Sequence, residues 1–228
     1  MKLAALFTGG KDSTYAIHLA QQAGNEITCL ITIQSDNPDS YMFHTPAIEL
    51  TELQAEAMEM PHIIASSEGE KEEELEDLEL AIKVAKEKFE FEGVITGALF
   101  SEYQSSRIEK ICLKLGLKCV NPLWHKNQEE EMQELVDQGF EFIFTAIAAD
   151  GLNKNWLNKV IDNTDLLKLK ELKDKIGSNV AGEGGEFESL VLDCPLFKKK
   201  LVIEEFEIQE ESEYVARMII KKAKLEDK

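Results

Sequence analysis

The sequence predicts an α/β protein, with an open, doubly wound, parallel five-stranded sheet followed by a smaller α/β domain. Three observations carry that prediction. Short apolar runs rich in β-branched residues alternate with segments of helical periodicity. The first run gives way at once to glycines and then to a helix. Asn121-Pro122-Leu123-Trp124 breaks the alternation near mid-chain.

Residues 2–7 form the first apolar run and meet Gly9-Gly10, after which Tyr15, Ile17, Leu19 and Ala20 fall at roughly helical spacing within 13–23. Residues 27–33, Ile-Thr-Cys-Leu-Ile-Thr-Ile, read as a buried parallel strand that completes a βαβ unit. A loop over 34–45, a helix over 46–60 and a strand over 62–65 follow. Residues 70–89 predict a long acidic helix with Leu75, Leu78, Ile82 and Ala85 on one stripe, its glutamates forming the solvated face. A strand over 93–98 closes in a glycine turn, and a helix over 101–115 leads to a fifth strand over 117–120. This is the alternation of a Rossmann-like sheet.

Pro122 stops the last strand, so the predicted domains are 1–121 and 122–228. The second holds a helix over 126–138, a strand over 141–148, helical pieces over 152–176, a glycine-rich loop and a strand over 189–193. Residues 201–208 and 214–222 suit an antiparallel hairpin turning near 210–213.

Composition narrows the function classes. At 228 residues, 43% hydrophobic and 30% charged, the chain reads as a soluble globular protein. Its formal net charge is −19, so it repels phosphate backbones and nucleic acid is a disfavoured partner. Lys198-Lys199-Lys200 and Lys221-Lys222 are only local basic patches. No apolar stretch approaches the roughly 20 residues of a membrane span, and the N-terminal run is too short for a signal peptide. Cys29, Cys112, Cys119 and Cys194 include no C-x-x-C pair, which argues against zinc, a dithiol redox centre and a disulfide framework. Cys112 and Cys119, across a helix end and a strand, read as core thiols. A cytoplasmic protein with reduced thiols is expected, and homo-oligomer formation is left open.

The chemistry rests on Thr8-Gly9-Gly10-Lys11-Asp12-Ser13. A glycine loop between strand and helix exposes backbone N–H groups at a helix N-terminus, where anionic phosphate is favoured. Thr8 and Ser13 add hydroxyls, and Lys11 adds a mobile point charge. The spacing is not that of a Walker A loop, because Ala5 stands at the first glycine position and Asp12 follows the lysine. Nor is there a G-x-G-x-x-G dinucleotide fingerprint.

These residues resemble the S-G-G-x-D-S pyrophosphate loop (PP-loop) of the N-type ATP pyrophosphatases, with threonine for the first serine. Further segments make the chain similar to the diphthine–ammonia ligase family, in a minimal archaeal-type form. They are Ser40-Tyr41-Met42-Phe43-His44, Gly97-Ala98-Leu99-Phe100-Ser101-Glu102-Tyr103-Gln104, Asn121-Pro122-Leu123-Trp124 and Gly182-Glu183-Gly184-Gly185-Glu186-Phe187-Glu188. The resemblance covers nearly the whole chain. It implies an adenine nucleotide α-hydrolase type of sheet and use of ATP with Mg²⁺. It also implies attack by the diphthine carboxylate of elongation factor 2 on the α-phosphate, release of pyrophosphate, and displacement of AMP by ammonia from free ammonium. No glutaminase segment is visible.

On this reading the nucleotide is held by Thr8, Gly9, Gly10, Lys11, Asp12 and Ser13, with Asp12 the candidate Mg²⁺ ligand. Ligands of doubly wound sheets sit beyond the carboxyl ends of the strands, which places adenine near Ile33, Gly97 and Ala98, with Tyr103 and Gln104 at the mouth. Glu183, Glu186 and Glu188 crowd one loop with Gly184 and Gly185 and would repel unless a metal, water or a cation compensates. The trimethylammonium of diphthine is such a cation, so Glu183 and Glu186 join Lys11, Asp12 and Ser13 as catalytic candidates. Gly184, Gly185, Glu186 and Glu188 become substrate-binding candidates. His44 and His125 are candidates for proton transfer, His44 on the substrate side. Two other readings stay open, a PP-loop enzyme modifying tRNA or a small molecule, and a non-catalytic nucleotide-binding protein.

Overall fold

The computed structural model describes residues 1–35, 48–68 and 73–228, and the side chains of all of these but Glu73 and Gln104. The chain divides into two units, one made of Met1–Thr8 with Asp12–Trp124, the other of Gly9–Lys11 with His125–Lys228.

The first unit is built on β1 (Lys2–Leu6), β2 (Glu26–Ser35), β3 (His62–Ser67), β4 (Gly93–Ile95) and β5 (Lys118–Val120). They pair in parallel in the order β3-β2-β1-β4-β5, so the first strand in sequence is the middle of the sheet. The order reverses between β1 and β4. The helices are α1 (Lys11–Gln22), α2 (Thr51–Ala57), α3 (Glu73–Lys88) and α4 (Glu102–Lys114). A parallel sheet covered on both faces needs nearly continuous apolar strands. Leu3, Ala4, Ala5, Cys29, Leu30, Val94 and Ile95 are accordingly fully buried. On one face Leu78, Ala81, Ile82 and Ala85 of α3 and Ile108, Ile111 and Cys112 of α4 pack with Ala4, Cys29, Ile31 and Val94.

Among the described residues the predicted strands and helices are present, with shifted ends; β2 runs on through Ser35, and the rest of the loop expected over 34–45 lies outside the described residues. The helix expected over 46–60 contains a 3₁₀ turn, Ile48–Leu50, and only a short α-helix; the chain then turns at Glu59, whose φ is 55°. The fourth strand ends at Ile95, because Thr96 still donates to Val120 while Gly97 leaves the sheet. The acidic helix departs from expectation at Glu74, which is buried although its face was read as solvated.

The second unit carries α5 (Gln128–Asp137), β6 (Glu141–Ala148), α6 (Asn163–Ile176), β7 (Phe187–Asp193), β8 (Lys199–Ser212) and β9 (Val215–Asp227). Its antiparallel sheet has the order β7-β6-β9-β8. Asn127 caps α5 by accepting from Glu129 and Glu130, and Asp162 with Asp165 forms a capping box on α6. The hairpin is longer than its alternation suggested and turns at 213–214, not 210–213. Bulges between Ile203 and Phe206 break the period of two, and ion pairs of Glu204 with Lys222 and Lys224 and of Glu207 with Lys221 tie the exposed strands. No helix among the described residues is long and apolar enough to cross a membrane.

Candidate functional site

The loop after β1 is closed by its own hydroxyls. Phe7 N–H donates to Ile31 O at 2.9 Å, keeping the strand paired to its end. Thr8 N–H then donates to Ser13 Oγ at 3.3 Å, and the Thr8 and Ser13 hydroxyls lie 3.1 Å apart. Gly9 has φ 77°, a conformation that disfavours a side chain. The first turn of α1 begins at Lys11 and contains Asp12, so its amides and partial positive charge end on this loop.

Two neighbours in the first unit shape the loop from outside. Gly97 lies so close to the start of α1 that a Cβ there would sit 2.8 Å from Ser13 N and 2.9 Å from Asp12 C. Thr32 Oγ1 donates to Phe7 O at 2.7 Å and therefore accepts from His62 Nε2, 2.8 Å away. That assigns the proton to Nε2. Burial lowers the His62 pKa from its ordinary value, with Glu52 working in the opposite direction.

Gly9–Lys11, which group with the second unit, bond to its strand β7. Val191 N–H donates to Gly9 O at 3.0 Å, and Lys11 N–H donates to Ser189 Oγ at 3.1 Å. The Lys11 ammonium lies 3.8 Å from Glu131 Oε1, with the side chains 1% and 0% exposed. This corrects the reading of Lys11 as a mobile charge: it is buried and ion-paired. The sequence reading missed Glu131. A signal existed, because Glu131 lies one residue before Met132 and four before Leu135, on the stripe that α5 buries.

The glutamate-glycine loop is built around Asn179 and Glu186. Asn179 Oδ1 accepts from Ala181 N at 2.9 Å and Glu183 N at 3.4 Å. Glu186 Oε1 accepts from Asn179 N and Oε2 from Gly184 N, each at 2.8 Å. The Glu186 carboxylate is thus turned onto the backbone of its own loop. Gly182 and Gly185 have φ of 82° and 84°, and a Cβ on Gly182 would meet the Phe187 ring at 2.9 Å. Phe187 stacks on Phe144 with ring centroids 3.8 Å apart, anchoring the loop to the unit's core. Glu183 is exposed, and Glu188 is half-buried opposite Ala146.

Of the residues expected around adenine, Ile33 is buried near the end of β2, and Ala98 is buried beside Gly97. Tyr103 lies in the first turn of α4 beneath the Arg107 guanidinium, 3.4 Å from the ring centroid. Arg107 also donates to Tyr103 O at 3.3 Å and was not singled out from the sequence. Gln104 is in the same helix, its side chain outside the described residues. His44, with the whole 40–44 segment, also lies outside them. His125 is exposed with φ 59°, a turn residue at the head of the second unit. Among the described residues no group of three or more His, Cys, Asp or Glu is arranged to hold a metal ion.

Comparison with known proteins agrees over both units. Residues 1–119 match the family described as Diphthamide synthase N-terminal domain, and residues 127–225 match Diphthamide synthase C-terminal domain. The chain is 38% identical to a diphthine–ammonia ligase of Bos taurus, over 91% of this chain and 85% of that one. It is 34% identical to a diphthine–ammonia ligase of Schizosaccharomyces pombe, over 100% of this chain and 40% of that one. A crystal structure of a predicted subunit of tRNA methyltransferase from Methanocaldococcus jannaschii superimposes with a TM-score of 0.44. The identity is 19%, over 86% of this chain and 98% of that one.

Proposed function

We propose that this chain, which belongs to the diphthamide synthase family, is an ATP-dependent, AMP-forming ligase that converts the diphthine carboxylate of elongation factor 2 to the diphthamide amide with ammonia. The observation that carries the reading is the loop between β1 and α1. Gly9 at φ 77°, the hydroxyls of Thr8 and Ser13, and the amide end of α1 together make an anion-binding turn. Gly97 supports it: with no side chain, it leaves the loop's flank clear where a Cβ would strike Ser13.

In this reading Thr8, Gly9, Gly10, Lys11, Asp12 and Ser13 form the phosphate loop, and the Lys11 charge, paired with Glu131 in this structure, acts on the departing pyrophosphate only when that pair opens. Ile33, Gly97 and Ala98 border adenine, with Tyr103 and Gln104 beside it. Asp12 is the one carboxylate of the loop. Mg²⁺ binds proteins through one or two carboxylates plus substrate phosphates, so Asp12 suits a metal that arrives with the nucleotide and neutralises phosphate charge. Glu183 and Glu188 offer negative charge to the trimethylammonium group, and Gly184 and Gly185 let the substrate approach the backbone. Glu186 holds that loop in shape through Asn179 and Gly184. His44 stands for proton transfer on the substrate side, and free ammonium is the nitrogen source.

The test is incubation of the protein with ATP, Mg²⁺, ammonium and elongation factor 2 bearing diphthine. AMP and pyrophosphate are expected only with that protein present, together with amide formation in its mass spectrum. Nucleotide binding with no AMP would identify a non-catalytic binder, and AMP formed with tRNA in place of the elongation factor would overturn the acceptor.

A further inference from the structure

The backbone and the side chain of Lys11 are held by different elements. Its N–H, the first of α1, donates to Ser189 Oγ at 3.1 Å, and Gly9 O accepts from Val191 N–H at 3.0 Å. Both bonds run to β7, so the loop backbone is fixed there. With its amide committed, what Lys11 has to offer an anion is its ammonium. That group lies 3.8 Å from Glu131 Oε1, and the two side chains are 1% and 0% exposed. A buried ammonium needs a counter-charge, and Glu131 supplies it from α5.

Three features suit this pair to opening. The distance between nitrogen and oxygen exceeds the about 2.7–2.9 Å of a closed charge-assisted hydrogen bond. Glu131 lies in the first turn of α5, and helical side chains lean toward the N-terminus, so its carboxylate also feels the positive end of that helix. Its charge is therefore not balanced by the lysine alone. Finally, the ammonium is a point charge on a long flexible stem, which can change partners while the Lys11 backbone stays bonded to β7.

We propose that Glu131 is a positioning residue that competes with the phosphates of ATP and of pyrophosphate for the Lys11 ammonium, so that nucleotide binding exchanges one ion partner of Lys11 for another. The proposal rests on the reading of Thr8–Ser13 as the ATP-binding loop. Glu131 touches no reacting atom and acts only through Lys11. Phosphate must displace a carboxylate to reach the ammonium, which weakens ATP binding. The same carboxylate takes the ammonium back as pyrophosphate leaves, which speeds release. A lysine without this competitor would retain the pyrophosphate that it helped to form.

The experiment is calorimetric titration of the full chain with ATP and, separately, with pyrophosphate, each with Mg²⁺, for the parent and for Glu131→Gln, which keeps the side-chain shape and removes its charge. Both ligands are expected to bind the variant about tenfold more tightly. In turnover the KM for ATP should fall and pyrophosphate should become a stronger inhibitor. Glu131→Asp, still charged but with a shorter reach, should lie between the two. In a Lys11→Gln background, Glu131→Gln should change neither affinity. Weaker or unchanged binding by Glu131→Gln, or an effect that persists without Lys11, overturns the exchange. Because these variants could unfold, the slowly exchanging ammonium signal of buried Lys11 is also followed by NMR in the unmodified chain. It should shift when pyrophosphate is added, and an unmoved signal overturns the exchange as well. A parent chain that binds no ATP overturns the reading of the loop itself, and the exchange with it.

Discussion

At Gly97 a single methyl group would be enough to disturb the nucleotide loop. Its Cβ would fall 2.8 Å from Ser13 N, a backbone atom that moves only with the start of α1. Overpacking of this kind typically costs about 1–3 kcal/mol. Gly97→Ala should therefore weaken ATP binding by about tenfold or more, read by calorimetric titration, with the melting temperature falling less than the affinity. The pair of Lys11 and Glu131 predicts a different outcome. Both are buried, and removing one partner of a buried ion pair typically costs about 3–5 kcal/mol. Glu131→Ala should then lower the denaturation midpoint markedly, whereas exposed Lys175→Ala, losing its pair with Glu171, should barely move it. Glu186 makes a third case at this scale. Its two oxygens accept from two amides, and glutamine has only one acceptor oxygen. Glu186→Gln should raise KM for the protein substrate while ATP binding holds; equal loss of both would count against the division of labour proposed above.

Among the elements, a chain of bonds from His62, at the start of β3, through Thr32 of β2 to Phe7 O, just past β1, joins the three strands next to the phosphate loop. Neutral His62 serves this chain, and burial lowers its folded pKa below the ordinary 6.5. The unfolded chain therefore binds the proton more readily. The stability contribution is complete above about pH 6.5 and is lost as the pH falls through the folded pKa. Denaturant midpoints measured from neutral to mildly acidic pH should drop more steeply for the parent protein than for His62→Gln; identical slopes would exclude the role. The elements themselves were largely legible in the sequence. Short apolar runs marked the buried strands, most clearly the β-branched run of β2, and Thr8–Ser13 marked the turn from strand to helix. What escaped was created by tertiary packing. Glu131 lay on the apolar stripe of α5, but nothing local announces that its charge is paired with Lys11, that Glu74 is buried in an acidic helix, or that Glu186 folds onto Asn179, seven residues earlier in the chain. The hairpin ends were misread because bulges erased the alternation on which a strand is recognised.

For the molecule as a whole, the net charge of −19 separates the proposed acceptor from its main competitor. A chain this acidic repels polyanions at low ionic strength. Added tRNA should leave AMP formation with the elongation factor unchanged at low salt; strong inhibition there would point back to a nucleic-acid substrate. Both units also place an early strand centrally, since β1 lies between β2 and β4, and β6 between β7 and β9. On the ribosome the first strand to emerge must therefore wait for residues 93–95 before both its edges are covered. Gly9 and Lys11 wait longer still, because Val191, whose N–H donates to Gly9 O, and Ser189, whose hydroxyl accepts from Lys11 N–H, are translated near the far end. A nascent chain can carry a finished parallel sheet before its phosphate loop is complete, so the capacity to hold ATP should be among the last properties to mature during synthesis.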